Sequence, residues 1–400
     1  MKLKMILLVL IVAAGIFLRI AGHPVERRTP DEAVYKNYAV IISEEGLAGS
    51  RALTRTYNEN REAWIYPPPI RIGYSCLLAG AMRVSGSFDY ISCVYVSKIF
   101  SIAAFLLTAL IALRFFGVWA AIFAAAFMCS SPMELAISQR VWSDGVFGAL
   151  ALVLIYIVCK IMKGPGRYLY YGLFAIAGLL LFTVKESCVI VYGLSALWVV
   201  YYLAVKRRSA REAALFMLFA IAGAAAGIIV VSVCAGGILP MADVIKNNMM
   251  SVRMNAYAVT YQTGPWHYYL TGFFMLSPVV VYMAAVGIIF FSRTSGIARF
   301  LAFFVVSFIL AAGIPEHLKN LRYASAVYGP MYIMAGIGMA RSMEMIKVRV
   351  SRYVYAAVSL LVVGIILLTI FSDYSVFHRI FIENGVGDIV NKAIWKYLSN

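Results

Sequence analysis

Long uninterrupted apolar runs dominate this sequence and leave few folds open to it. They fall at about 4–22, 93–113, 117–131, 145–162, 168–184, 187–205, 212–235, 268–291, 300–314, 323–341 and 353–372. A helix needs roughly 20 such residues to cross a bilayer core, where only helices and closed barrels satisfy their own backbone polar groups. The chain as a whole agrees: 63% of its 400 residues are hydrophobic and 13% are charged, against about 45–50% and about 25% in a soluble domain. A soluble enzyme is excluded, and so is disorder. Six cysteines, no two at metal or redox spacing, exclude a disulfide scaffold. The expectation is one all-α domain over 1–400, a polytopic transmembrane helical bundle of about 11 spans.

The net charge is +17. On a soluble chain that excess would suggest nucleic acid; here basic residues at the cytoplasmic ends of spans explain it, and no nucleic-acid partner is expected. One segment decides the sides. Residues 70–86 are apolar only between Arg71 and Arg83. If 70–86 does not cross, sixteen of the 35 bases and only two of the 18 acids, Glu212 and Glu344, fall on the inner side. If it crosses, Lys206–Arg211 and the Arg341–Arg352 cluster move outside, against the positive-inside rule. The segment is therefore taken as interfacial or re-entrant, the amino terminus as cytoplasmic and the tail 373–400 as external. Met1–Lys4 with the run behind it resembles a signal peptide, but Arg19 interrupts the run and no cleavage site follows, so an uncleaved first span is expected.

The outer side then holds 23–69 (leading into 70–86), 132–144, 236–267, 315–322 and the tail, whereas the inner connections are short and basic. Chemistry is expected outside. Arg28-Thr29-Pro30-Asp31-Glu32 reads equally as a capped helix start and as a carboxylate at the bilayer surface able to deprotonate a hydroxyl. The 132–144 turn holds Glu134, Gln139, Arg140, Trp142 and Asp144; Asp144 is either a cap paired with Arg140 or a second acid facing Asp31. Lys185-Glu186 is either a self-satisfied ion pair or a cation for an anionic ligand. Lys319 and Arg322, three apart, would share a helix face if the segment is helical, and lipid headgroups are an equal alternative for them. His23, His267, His317 and His378 lack any paired metal spacing, so no metal site is expected. Trp266 and His267 read first as part of an aromatic belt, and Tyr66-Pro67-Pro68-Pro69 as a rigid bend.

Acids, bases and aromatics gathered on one face suit a reaction between a lipid-borne phosphate and a polar acceptor: cations neutralise the leaving phosphate while an acid deprotonates the nucleophile. The ordered pattern Thr29-Pro30-Asp31-Glu32-Ala33-x-Tyr35, Tyr66-Pro67-Pro68-Pro69, Arg140 with Asp144, Thr183-Val184-Lys185-Glu186, Pro265-Trp266-His267-Tyr268-Tyr269 and Arg322-Tyr323 resembles the GT-C membrane glycosyltransferases, in the branch of protein O-mannosyltransferases and aminoarabinose transferases. The likeness runs from residue 1 to about 341. It implies a GT-C bundle that moves a sugar from a polyprenyl-phosphate carrier to a glycan, lipid or protein acceptor on the outer face of a plasma (inner) membrane, with the site toward the periplasm or exterior. By the same likeness Asp31 would be the base with Glu32 beside it, and Asp144 the acid of the second outer loop. Lys185, Arg322, Arg140 and Lys319 would hold the donor phosphate, and Tyr66, Trp266, His267 and Tyr323 would contact sugar or acceptor. No cofactor is implied beyond a divalent cation, which is left open. Where the aminoarabinose branch carries Glu-Lys before a proline, this chain has prolines, with Arg71 following. No appended acceptor-binding domain is visible, which favours a glycan or lipid acceptor over a protein.

Two other readings stand beside this one. A lipid-linked sugar transporter or flippase would need polar residues deep in several spans, and no internal repeat is visible. A non-catalytic protein binding anionic lipids would depend on Lys319 and Arg322 but not on Asp31 or Asp144. The topology itself is testable by cysteine labelling: a thiol at Ser209 should react only from inside and one at Ser251 only from outside, and the opposite pattern would invert every loop.

Overall fold

The structure, a computed structural model, describes residues 2–22, 29–164, 167–317, 319–387 and 389–398; His23 and Arg28 lie outside them. Among the described residues every regular element is helical. The first span is α1 (Lys2–Ala21), followed by α2 (Pro30–Glu45), α3 (Leu47–Glu59), a 3-10 turn (Arg61–Ile65) and α4 (Ile72–Ser85). Next come α5 (Tyr90–Phe116), α6 (Val118–Cys129), α7 (Pro132–Ser138), α8 (Ser143–Lys163), α9 (Arg167–Val184) and α10 (Cys188–Tyr201). The chain continues through α11 (Ala210–Ala235), α12 (Ile238–Met254), α13 (Ala256–Tyr261), α14 (Tyr268–Leu276) and α15 (Pro278–Val286). It ends with α16 (Gly296–Gly313), α17 (Ser325–Arg349), α18 (Arg352–Phe377) and α19 (Asn391–Leu398).

Among the described residues seven helices are long and apolar enough to cross a membrane: α1, α5, α8, α10 with its π-helical continuation to Lys206, α11, α16 and α18. Two expected runs are instead bent pairs, α6 with α7 at 63° and α14 with the helix from Pro278 at 119°; the run at 168–184 is a shorter apolar helix. Segment 70–86 folds as α4. Its 14 residues rise about 21 Å, short of a crossing, and pack on α2, α5 and α9. Stretches expected as loops are largely helical. In 236–267, α12 lies against α3, with Asn58 Nδ2 donating to the Pro240 carbonyl (3.0 Å) and Asn247 Nδ2 to Asn58 Oδ1 (3.1 Å). Ser251 is enclosed there, so the labelling test belongs on Met249, which is 70% exposed.

The run 323–341 lies in α17, the axis of the bundle. Every residue from Ser325 to Ala340 is buried, packed by α5, α6, α8, α15 and α16. A helix screened from lipid by its neighbours can carry Gly, Ser and Tyr where a lipid-facing one carries Leu and Ile, and small residues let backbones approach. The approach is close: a Cβ on Gly338 would stand 2.3 Å from the Met283 carbonyl oxygen, and one on Gly287 2.1 Å from that of Met334.

Connectivity separates two ends of the bundle. Asp144 starts α8 and Lys160 and Lys163 end it, about 24–29 Å away at a helical rise of about 1.5 Å per residue. Likewise Lys185 sits at the end of α9 opposite Arg167, and α17 runs from the Arg322 turn to Lys347 and Arg349. The polar cluster described next and the basic patches therefore occupy opposite ends.

The glycine contact gives a direct test. Gly338→Ala should lower the thermal midpoint of the detergent-solubilised protein, by the roughly 1–3 kcal/mol that overpacking costs. Gly364→Ala, where a Cβ meets open space, should leave it unchanged. Equal midpoints for both would disprove the tight α15–α17 contact.

Candidate active site

The site grows from the start of α2. Thr29 is extended, Pro30 presets the first helical turn, and Asp31 and Glu32 favour the helix dipole. Glu32 closes a capping box, its Oε2 accepting from the Thr29 amide (2.7 Å) and hydroxyl (3.1 Å). The same oxygen accepts from Arg140 Nη1 (3.1 Å), and Oε1 accepts from the Val141 amide (2.9 Å) and the Tyr90 hydroxyl. Glu32 is wholly buried and both its oxygens are engaged, so it ties α2 to α5 and to the 139–142 turn. Its neighbour Asp31 points elsewhere: its carboxylate is 26% exposed and accepts from Arg322 Nη2 at 2.5 Å.

From Arg322 the cluster continues by stacking and pairing. The Arg322 guanidinium lies 4.9 Å from the Trp142 ring centre and 5.3 Å from that of Tyr323. Lys185 Nζ lies 4.7 Å from the same Tyr323 ring and pairs with Asp144. Burial pushes the Lys185 ammonium below the ordinary lysine value, and Asp144 offsets only part of that. The partner of Glu186 is Arg71, at 2.9 Å. Arg71 also donates to the Tyr35 hydroxyl, which is 3.3 Å from Ser143 Oγ. Burial works against the Arg71 charge, but Glu186 and Tyr35 more than restore it. Burial would likewise raise the Glu186 carboxyl, but Arg71 outweighs it and holds it below the usual range. Asp31 and Asp144 thus belong to one cluster, linked through Arg322, the Tyr323 ring and Lys185.

Three pairings differ from the local alternatives that the sequence leaves open. Asp144 pairs with Lys185 and not with Arg140, which holds Glu32 and donates to the Val386 carbonyl (3.1 Å). Lys185 and Glu186 do not satisfy each other: they lie in the short break between α9 and α10, and each finds a partner on another segment. Lys319 does not share a helix face with Arg322. It donates to the Ala312 (3.4 Å) and Gly313 carbonyls at the end of α16, over the Tyr269 ring at 5.7 Å. Burial lowers its pKa.

The aromatic candidates scatter. Tyr323 is inside the cluster. Trp266 and His267 are exposed and meet edge-on at 5.5 Å, whereas Tyr268 and Tyr269 turn inward. Tyr66 lines a shallow groove with Asn60, Glu62, Ala63 and Ile65 that shares no residue with the ion-pair cluster. No group of three or more metal-ligating side chains comes together among the described residues.

Sequence reasoning did not single out Tyr35, Tyr90, Trp142 or Ser143 as site residues, nor give Arg71 its partner. Tyr35 carries a readable signal, four residues after Asp31 and so on the same helix face, and Trp142 stands in the 132–144 turn between Arg140 and Asp144. The tail was also unforeseen. Leu321 N donates to the Ile389 carbonyl (2.9 Å), and Asn391 bonds Tyr268 through its amide and side chain (both 2.9 Å). Gly387 lies so close to the start of α2 that a Cβ there would stand 2.4 Å from Thr29 Cγ2.

Glu186 is held ionised, so its contribution to stability is present above its unfolded pKa and is lost as pH falls through its depressed folded value. The thermal midpoint of wild type should exceed that of Glu186→Gln at neutral pH, and the gap should shrink as pH falls below about 4.5. A gap independent of pH would remove the Arg71–Glu186 pair as its cause.

No family model matches the chain, and no curated protein matches it. Solved structures do. ArnT from Cupriavidus metallidurans, in the apo state, is 17% identical with a TM-score of 0.56, the match covering 83% of this chain and 59% of that one. The same protein bound to undecaprenyl phosphate gives 17% and 0.55, covering 85% and 60%. The archaeal oligosaccharyltransferase AglB from Archaeoglobus fulgidus, in complex with an inhibitory peptide and a dolichol-phosphate, gives 12% and 0.62, covering 93% and 55%. The chain has the GT-C fold of these membrane proteins and spans less than two thirds of their length.

Proposed function

We propose that this chain is an integral-membrane glycosyltransferase that moves a sugar from a polyprenyl-phosphate-linked donor to a hydroxyl-bearing acceptor, a glycan, lipid or protein, at the outer face of the plasma (inner) membrane. The observation that carries the reading is Asp31: a partly exposed carboxylate held at the start of α2 by one guanidinium, inside a cluster of alternating acids and bases at one end of an apolar bundle. The fold shared with proteins solved in complex with undecaprenyl phosphate and dolichol-phosphate supports it.

Among the described residues Asp31, Glu32, Asp144 and Glu186 pair with Arg322, Arg140, Lys185 and Arg71 respectively. An incoming phosphate competes with the carboxylates for these cations. Arg322 turning to the phosphate frees Asp31, which then accepts the acceptor's hydroxyl proton. That oxygen bonds the anomeric carbon as the bond from the anomeric carbon to the phosphate oxygen breaks, and the carrier leaves as polyprenyl phosphate. Arg322 and Lys185 neutralise the charge growing on it. Tyr323, between these two cations, keeps them spaced. Glu32 is a positioning residue: it orients Arg140 and the helix that presents Asp31. Asp144 holds Lys185 until the donor arrives. Lys319 anchors the 319–322 turn, and Trp266, His267 and Tyr66 are surfaces for acceptor or sugar.

Transfer of radiolabelled sugar from lipid-linked donor by purified protein tests this. Asp31→Asn should lower kcat by about 10²–10⁴-fold, the usual worth of a general base, with donor KM less affected. Lys185→Met should raise donor KM. Equal turnover in wild type and Asp31→Asn would remove Asp31 from the mechanism, and uptake of lipid-linked sugar without product would favour a flippase.

A further inference from the structure

The span formed by α6 and α7 breaks at Ser130 and Ser131 with a 63° bend. A helix ending inside an apolar body leaves its last carbonyls without intrahelical partners, and there is no bulk water to take them. The donor here comes from α1. Arg19, fully enclosed, donates from Nη2 to the Met128 carbonyl (3.2 Å) and from Nη1 to that of Cys129 (3.3 Å). Nη1 also donates to the Gly15 carbonyl (2.9 Å) and Nε to Ser101 Oγ (3.0 Å). The guanidinium carbon lies 4.6 Å from the Phe105 ring centre. A cation at a helix C-terminus is favoured by the dipole, and a planar fork of five donors can reach four acceptors spread around it, more than the three donors of a lysine.

The same two residues grip the rest of the segment. The Ser101 hydroxyl approaches the Glu134 carbonyl (3.4 Å) in the middle of α7. The backbone carbonyl of Arg19 accepts from Gln139 Nε2 (3.1 Å) just past its end. Start, middle and end of 128–139 are thereby tied to Arg19 and Ser101. The residues that follow are Arg140, Val141, Trp142, Ser143 and Asp144, each of which contributes to the cluster at the start of α2. In the sequence Arg19 is only a charge interrupting the first apolar run.

We propose that Arg19 is a positioning residue for this site: it fixes the break between α6 and α7 and, through α7, sets where Arg140, Trp142 and Asp144 stand. The functional half of the proposal rests on the glycosyltransferase reading. A lysine at 19 keeps the charge but offers donors from one point, so it cannot hold the Met128, Cys129, Gly15 and Ser101 acceptors together.

Full-length Arg19→Lys and Ser101→Ala in nanodiscs decide it, read by amide hydrogen exchange and by steady-state transfer from a polyprenyl-phosphate-linked sugar. Exchange should rise across 128–144 while 210–235 keeps wild-type rates. For Arg19→Lys, kcat should fall about a hundredfold, the scale of a small misplacement, with donor KM held within about twofold. Ser101→Ala, which keeps the arginine, should show the same pattern more weakly, and it decides the matter if Arg19→Lys does not fold. Unchanged exchange over 128–144, or a uniform rise throughout the bundle, overturns the proposal. So does a raised local exchange with kcat intact. A wild type that transfers nothing refutes the glycosyltransferase reading instead, and the exchange data still judge the hold of Arg19 on 128–144.

Discussion

A carboxylate taken out of water must find donors for both oxygens, and Glu32 finds five. They come from its own helix cap, from Tyr90 on α5 and from Arg140 and Val141 in the turn before α8. Three segments far apart in sequence are thereby fixed around one side chain. Breaking such a buried pair costs about 3–5 kcal/mol because the surviving charge is stranded. Asp31 can remain partly exposed with a single partner because Glu32, one residue on, carries the structural burden of holding α2 in place.

The remaining pairs follow the same logic with progressively more water. Asp144 and Lys185 are nearly enclosed, Asp31 is open on one side, and Arg71 with Glu186 lies nearest the surface. Aromatic rings separate the cations: Tyr323 stands against both Arg322 and Lys185, and Trp142 against both Arg322 and Arg140. Faces of rings attract cations without neutralising them, so positive charges are held close together beside their carboxylates.

The bundle that carries this cluster is built by different means. Its outer helices present Leu, Ile and Phe, as on α1 and α18, and these runs are visible in the sequence because lipid selects them. Its axis, α17, is shielded and uses Gly and Ala to let neighbours approach. The periodic signal of α17 is correspondingly weak, and the bends at Ser130–Ser131 and at Ser277 have no more than a Ser-Pro pair after them to mark them. Likewise the sequence of α12 reads as loop: its apolar face is short and interrupted by Asp243, Lys246 and Arg253, and the helix packs on α3.

What the sequence settled alone was the solvent and the fold class, since the lengths of apolar runs and the distribution of bases follow from the thickness and charge of a bilayer. It also set out the acids and bases in an order resembling the GT-C enzymes. It did not say which acid meets which base. Of the alternatives it leaves open, the local pairs Asp144 with Arg140 and Lys185 with Glu186 do not form, because partners are set by distance in space and each of these residues meets a different segment. Only the tertiary structure, by bringing the ends of α2, α8, α9 and α17 and the returning tail together, decided those pairings, and with them which carboxylate is locked and which is left accessible.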